Sequence, residues 1–181
     1  KTELEAELEA ELELRSRQYA FYRASLLTFT EAPRHSVQWI PLGELGTWVG
    51  GITPSKSQPR YWESGTIPWV ASMDISATRG REIRGRVTQV ALDETTLRIV
   101  PAPSVAVVMR SNILRRSLPI GFVDVDATAN QDMRLLKTDE GLDQRYVYQA
   151  LLAASEEIRN SCVRTDGSMA AVDSKAFFAY R

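Results

Sequence analysis

Residues 1–29, KTELEAELEAELELRSRQYAFYRASLLTF, contain no glycine or proline and are rich in Glu, Leu, Ala, Arg and Gln. Summed over so many positions, that composition predicts one long helix. Leu4, Leu8, Leu12, Arg15, Tyr19, Tyr22 and Leu26 recur at steps of 4, 4, 3, 4, 3 and 4, the spacing of a seam packed on another long helix. Alternating glutamates would also suit a strand, but Glu and Ala are poor strand formers and the segment is too long for one strand. Glu11 with Arg15 and Glu13 with Arg17 stand four apart in the favourable order, each pair worth about 0.2–0.5 kcal/mol. Thr28 to Pro33 is the expected stop.

Working outward from that helix, His35 opens a different pattern of short apolar stretches punctuated by Gly, Pro and Ser. VQWIPLGEL, IPWVA, PSVAVVM, LPIGFVDV and MRLLK read as strands of about five residues. ALDETTLRI fits a short helix before the Pro101-Ala102-Pro103 stop. DQRYVYQALLAASEEIRNS reads as the clearest helix of the body, with Asp143 as its cap and Tyr146, Ala150, Leu151, Ala154 and Ile158 as its apolar stripe. VDSKAFFAY reads as a last short helix capped by Asp173 or Ser174. The expected fold class is therefore α+β, a coiled-coil-like helix over residues 1–30 and a compact mixed domain over 31–181.

The chain has 181 residues, a net charge of −1, one cysteine and one histidine. Cys162 and His35 alone exclude an internal disulfide, a Cys/His zinc cluster and a two-histidine metal site. No apolar run approaches the roughly 20 residues that cross a bilayer, and nothing resembles a signal peptide, so a soluble, cytoplasmic protein is expected. The start at Lys1, without an initiator methionine, suggests a piece of a longer chain. Charge is uneven: residues 1–14 carry −5, leaving +4 on the remaining 167. Within that mildly basic body, TRGREIRGR groups Arg79, Arg81, Arg84 and Arg86 around the single acid Glu82, and VMRSNILRRS groups Arg110, Arg115 and Arg116. Each cluster alone suits a solvated face; two together point towards a polyanion.

Catalytic patterns are not evident. No glycine-rich phosphate loop of either common form occurs, and His35 lies in a linker without a nucleophile elbow. Asp124 and Asp126 in FVDVDAT would share one side of a strand, where they suit either a metal-dependent nuclease or an ordinary polar edge. Binding chemistry is better represented. Trp39, Trp48, Trp62 and Trp69 fall within 31 residues, interleaved with Thr53, Ser55, Lys56, Ser57, Arg60 and Tyr61. Stacking, hydrogen bonding and phosphate contact are all available there. Trp39 and Trp69, in apolar contexts, are expected to pack inside, leaving the loop Thr53 to Arg60 as the surface.

Two stretches together resemble the specificity subunit of Type I restriction-modification enzymes. LEAELEAELELRSRQYAFYRASLLTF is similar to the end of that family's conserved spacer helix, and WIPLGELGTWVGGITPSKSQPRYWESGTIPWVASMDI to the start of a target recognition domain. Weaker echoes follow in RVTQVAL, Ala129-Asn130-Gln131, RYVYQALL and the Gly167-Ser168 turn. The resemblance implies a non-catalytic reader of double-stranded DNA: one target recognition domain and part of a spacer helix, reading one half of a bipartite site. It implies modification (methyltransferase) subunits that bring S-adenosylmethionine, a restriction (translocase and nuclease) subunit that brings ATP and magnesium, and a second spacer helix from the same or another chain. No cofactor is expected in this chain. Its Arg181 end, where the family continues into another spacer helix, is a departure.

The DNA-contacting candidates are Thr53, Ser55, Lys56, Ser57, Arg60, Arg79, Arg81, Arg84, Arg86, Arg110, Asn112, Arg115, Arg116, Arg164 and Ser168. The helix-partner seam is Leu4, Leu8, Leu12, Tyr19, Tyr22 and Leu26. A different class of function, a helix-mediated interaction module whose body binds protein or a small ligand, would leave those arginines as ordinary surface.

Overall fold

The computed structural model describes residues 2–27, 37–75 and 83–181. The chain divides into two compact units, Lys1–Trp39 and Ile40–Arg181. The expected helix stop at Thr28 to Pro33 and His35 lie outside the described residues.

In the first unit, α1 runs over Glu3–Leu27. A reciprocal cap starts it, with the Thr2 backbone N–H donating to Glu5 at 3.0 Å and the Glu5 N–H donating to the Thr2 hydroxyl at 3.4 Å. Two backbone donors at the helix start are satisfied this way. Both expected ion pairs form, Arg15 to Glu11 at 2.7 Å and Arg17 to Glu13 at 2.5 Å. No described residue of α1 is buried. Leu4, Leu8, Leu12, Tyr19, Tyr22 and Leu26 are each more than half exposed, so the seam is open to solvent.

The second unit opens with a correction. VQWIPLGEL is not a strand: Pro41 caps a short 3-10 turn over Leu42–Glu44, and β1 begins only at Gly46, running to Gly50. Proline supplies no ladder donor, which disfavours a strand through it. Gly46 has φ +148°, and any Cβ there would meet the Lys137 carbonyl oxygen at 2.2 Å. Trp39, expected inside, is 61% exposed. It precedes the sheet and is not part of it.

Among the described residues, the larger sheet has the order β1-β7-β4-β5 and is antiparallel throughout. Its members are β1, β4 (Ser104–Val108), β5 (Ile120–Val123) and β7 (Met133–Thr138). All five residues of β4 are buried, the apolar run Val105–Val108 together with Ser104, as suits a central strand. A smaller sheet orders β3-β2-β6, from β2 (Ile67–Val70), β3 (Gly85–Val87) and β6 (Thr128–Ala129). Here β6 lies parallel to β2 and leads directly towards β7. The two short helices between strands are α2 (Ser72–Ile75) and α3 (Gln89–Glu94). The latter begins two residues before the expected ALDETTLRI because the Thr88 side chain caps it.

The chain's clearest body helix, α4, spans Gln144–Cys162 with Asp143 accepting from the Tyr146 N–H at 2.7 Å. Its buried stripe is Val147, Leu151, Ile158 and Cys162. Tyr146, expected to begin that stripe, is 48% exposed. Gln144 is buried with both ends of its amide bonded: Nε2 donates to the Leu136 carbonyl, and Oε1 accepts from the Thr138 N–H and hydroxyl. The hairpin strands β8 (Val163–Arg164) and β9 (Ala171–Val172) follow, then α5 (Ser174–Ala179), capped by Asp173. The Phe177 ring of α5 meets Trp48 edge-on at 5.4 Å. Burial, then Glu157, pushes the Tyr180 phenol up to about 12, and burial also raises the Cys162 thiol.

Candidate nucleic-acid interface

The loop between β1 and β2 is built on indole donors. Trp69 donates to the Ile52 carbonyl at 3.0 Å and Trp62 to the Ser55 carbonyl at 3.1 Å, and the two rings meet edge-on at 5.2 Å. Trp69 is thus partly buried against the smaller apolar cluster, as expected of it. These donors hold the loop from within and leave Ser55, Lys56, Ser57 and Arg60 exposed. The Ser55 and Ser57 hydroxyls are 2.8 Å apart. Arg60 pairs with Glu94 at 2.7 Å and lies 5.3 Å from the centre of the Tyr61 ring, so its guanidinium already has protein partners.

The same loop rests on the turn between β6 and β7. A Cβ on Gly51 would lie 1.8 Å from the Ala129 carbonyl oxygen, a closeness only glycine permits. Beside that contact the Thr53 hydroxyl donates to Oε1 of Gln131. The turn is fixed from both sides: the Asn130 N–H donates to the Val70 carbonyl at 2.9 Å, and the Asp132 N–H to Oδ1 of Asn130 at 3.0 Å. Asp132 in turn accepts from Nε of Arg110 at 2.6 Å.

From Arg110 the bonding continues to the hairpin. The Ser111 N–H donates to the Ala170 carbonyl at 3.0 Å. Asn112 opens a 3-10 turn, Asn112–Arg115. At its end Arg115 donates to the carbonyls of Thr165 at 3.1 Å and Gly167 at 2.9 Å. Arg164 faces Asp166 at 3.4 Å and Asp173 at 3.8 Å, and Ser168 is exposed on the hairpin turn. Thr53, Arg110, Asn112, Arg115, Arg164 and Ser168 therefore belong to one hydrogen-bonded series of loops, joined through the turn at 129–132. Lys56 and Arg116 are exposed and carry no ion pair among the described residues.

Of the other arginine cluster, only Arg84 and Arg86 lie among the described residues. Arg84 and Arg86 are exposed at β3 in the smaller sheet, where Arg86 pairs with Pro68 in register and donates to the Ile83 carbonyl at 2.7 Å. Arg79 and Arg81 lie outside the described residues. For Asp124 and Asp126 the premise of a shared strand side does not hold, because β5 ends at Val123 and Asp126 accepts from the Ala102 N–H at 2.8 Å. No group of three or more possible metal ligands occurs among the described residues. Gln131 and Asp132 were missed as site residues. Gln131 stands in the family echo Ala129-Asn130-Gln131, but its contact with Thr53, 78 residues away, and that of Asp132 with Arg110, 22 residues away, are not contained in any local pattern.

The chain is 39% identical over 180 residues to the specificity subunit of the Type I restriction enzyme EcoR124I/EcoR124II of Escherichia coli, an alignment covering 99% of this chain and 44% of that protein. Over nearly its whole length the chain is similar to part of a Type I restriction specificity subunit. It spans less than half the length of the curated specificity subunits it matches. The EcoprrI specificity subunit of Escherichia coli is 26% identical over 151 residues, covering 78% of this chain and 35% of that one. The fold matches the HsdS subunit of Thermoanaerobacter tengcongensis with a TM-score of 0.60 at 12% identity, over 92% of this chain and 41% of that chain. It also matches the Type I S subunit of M. genitalium with a TM-score of 0.52 at 13% identity, over 77% and 32% respectively. No family model matches. A long helix followed by a mixed α+β domain is thus the architecture of a specificity-subunit portion. No helix among its described residues is long and apolar enough to cross a membrane.

Proposed function

We propose that this chain reads one half of a bipartite DNA target without transforming it, as part of a specificity subunit that directs adenine methylation and restriction by partner subunits. The observation that carries the reading is the series of loops from Thr53 through Gln131 and Arg110 to Ser168, which presents amide, hydroxyl and guanidinium donors on a fixed frame. Phosphate contacts position such a protein and base-edge contacts specify the sequence. Lys56, Arg84, Arg86 and Arg116 suit the first task; Ser55, Ser57, Asn112 and Ser168 suit the second, while Thr53 gives its hydroxyl hydrogen to Gln131. The exposed seam of α1 is the surface for a second spacer helix, from the same or another chain. In this reading residues 1–30 serve as the arm that makes that contact and residues 31–181 as the recognition domain. S-adenosylmethionine, ATP and magnesium belong to the modification and restriction subunits.

Binding of the full chain to a panel of duplexes across a salt series tests the reading. Expected are an affinity that falls steeply with salt and a preference among sequences. Equal, salt-insensitive binding to every duplex would overturn it and return the arginines to ordinary surface. Co-purification with a modification subunit, followed by mapping of methylated adenines, tests the partner assignment.

A further inference from the structure

We infer that Gln131 reads an adenine edge in the major groove, with Thr53 as its positioning residue; the inference rests on the DNA-reading function proposed above. Gln131 is exposed at the tip of the turn between β6 and β7, yet little around it is free to move. On one side the Asn130 N–H is bonded to Val70, and on the other the Asp132 carbonyl accepts from the Met109 N–H at 2.7 Å. The Thr53 hydroxyl, from a loop 78 residues away, donates to Oε1 of the Gln131 side chain.

That single bond has a chemical consequence. A carbonyl oxygen has two lone pairs, so Oε1 retains one acceptor site while Nε2 keeps both its hydrogens. The amide therefore offers one acceptor beside one donor, in an orientation set before any ligand arrives. Adenine presents the matching pair in the major groove, the N6 amino donor and the N7 acceptor, whereas guanine presents two acceptors. Pre-ordering also reduces the side-chain entropy lost on docking. Next along the turn, Asp132 holds Arg110, whose side chain is 53% exposed, so the turn that carries Gln131 also holds a cation.

The test selects bound sequences from a randomised duplex pool with the full 181-residue chain and with variants. The wild type is expected to enrich an A·T pair at a position where Gln131→Ala loses preference by about 5- to 100-fold, leaving other positions unchanged. Thr53→Val is expected to weaken preference at that same position, and Thr53→Ser to restore it. Replacing the selected adenine by 7-deazaadenine, which lacks the N7 acceptor, is expected to weaken the wild type and leave Gln131→Ala unaffected. An unchanged profile in Gln131→Ala, a loss that falls on a guanine, or a Thr53→Val profile identical to wild type overturns the inference. Should the wild type enrich no sequence, the proposed function itself fails; loss of this inference alone leaves a selective wild type behind.

Discussion

Arg115 donates to the Gly167 carbonyl at 2.9 Å, across 52 residues of sequence. With the parallel bond to Thr165, its fork holds the hairpin turn that carries Ser168. Arg115 thus acts on the turn at least as much as on any external anion. Charge-assisted bonds of this kind contribute about 1.5–3 kcal/mol where solvent does not screen them, and less at an exposed site. Arg115→Ala is expected to speed amide exchange at 165–170 while leaving the protection of β4 and β7 in place. Arg115→Lys, a point donor without the planar fork, should recover only part of that protection.

Gly51 admits no side chain where it crosses the β6–β7 turn. Gly51→Ala places a methyl group against the Ala129 and Asn130 carbonyls, so the loop has to lift. Overpacking of this sort destabilises by about 1–3 kcal/mol. Urea unfolding should show a lower midpoint with an unchanged slope, and the Trp62 and Trp69 emission should report a displaced loop. A variant as stable as the wild type would contradict the packing described.

Two exposed cations separate affinity from selectivity. Lys56→Ala and Arg116→Ala are each expected to weaken binding to all duplexes alike and to flatten the plot of log affinity against log salt by about 0.9. Asn112→Ala should leave that slope unchanged and alter base preference instead. Measurement by fluorescence anisotropy at four or more salt concentrations distinguishes the two patterns.

Tyr180 makes stability fall at high pH. Its folded-state value of about 12 lies above the ordinary phenol value of 10.0, so the folded chain holds the phenolic proton more tightly than the unfolded chain. The contribution is complete below pH 10 and is lost as pH rises through 12. Cys162, also raised by burial, adds in the same direction from a lower pH. Thermal midpoints recorded between pH 8 and 12 should decline less in Tyr180→Phe than in the wild type.

The parts legible in the sequence are those specified locally. Asp143 and Asp173 mark the starts of α4 and α5 by side-chain capping, and the run SVAVV marks a central strand by composition. The first strand was misplaced because GTWVG contains two glycines, which local propensity counts against a strand. There Gly46 is needed for close approach to β7, and Trp48 packs on Phe177 from the far end of the chain. Trp39 shows the opposite error, an apolar neighbourhood in sequence that the fold leaves in solvent. At the site, loop composition pointed to Thr53 to Arg60 and to Arg110 to Arg116. The bonds joining them run through Gln131 and Asp132, and such pairings exist only after the sheets have formed.

Because the turn at 129–132 supports Thr53 on one side and Arg110 on the other, the loops it joins cannot be exchanged like separate cartridges. A transplant of residues 51–60 from a relative into this chain must bring its own counterpart of Gln131, or the grafted loop arrives without its foothold. If the proposed function holds, redirecting this domain to a new target is consequently a matter of replacing interlocked segments together, with the turn as the piece that has to match them all.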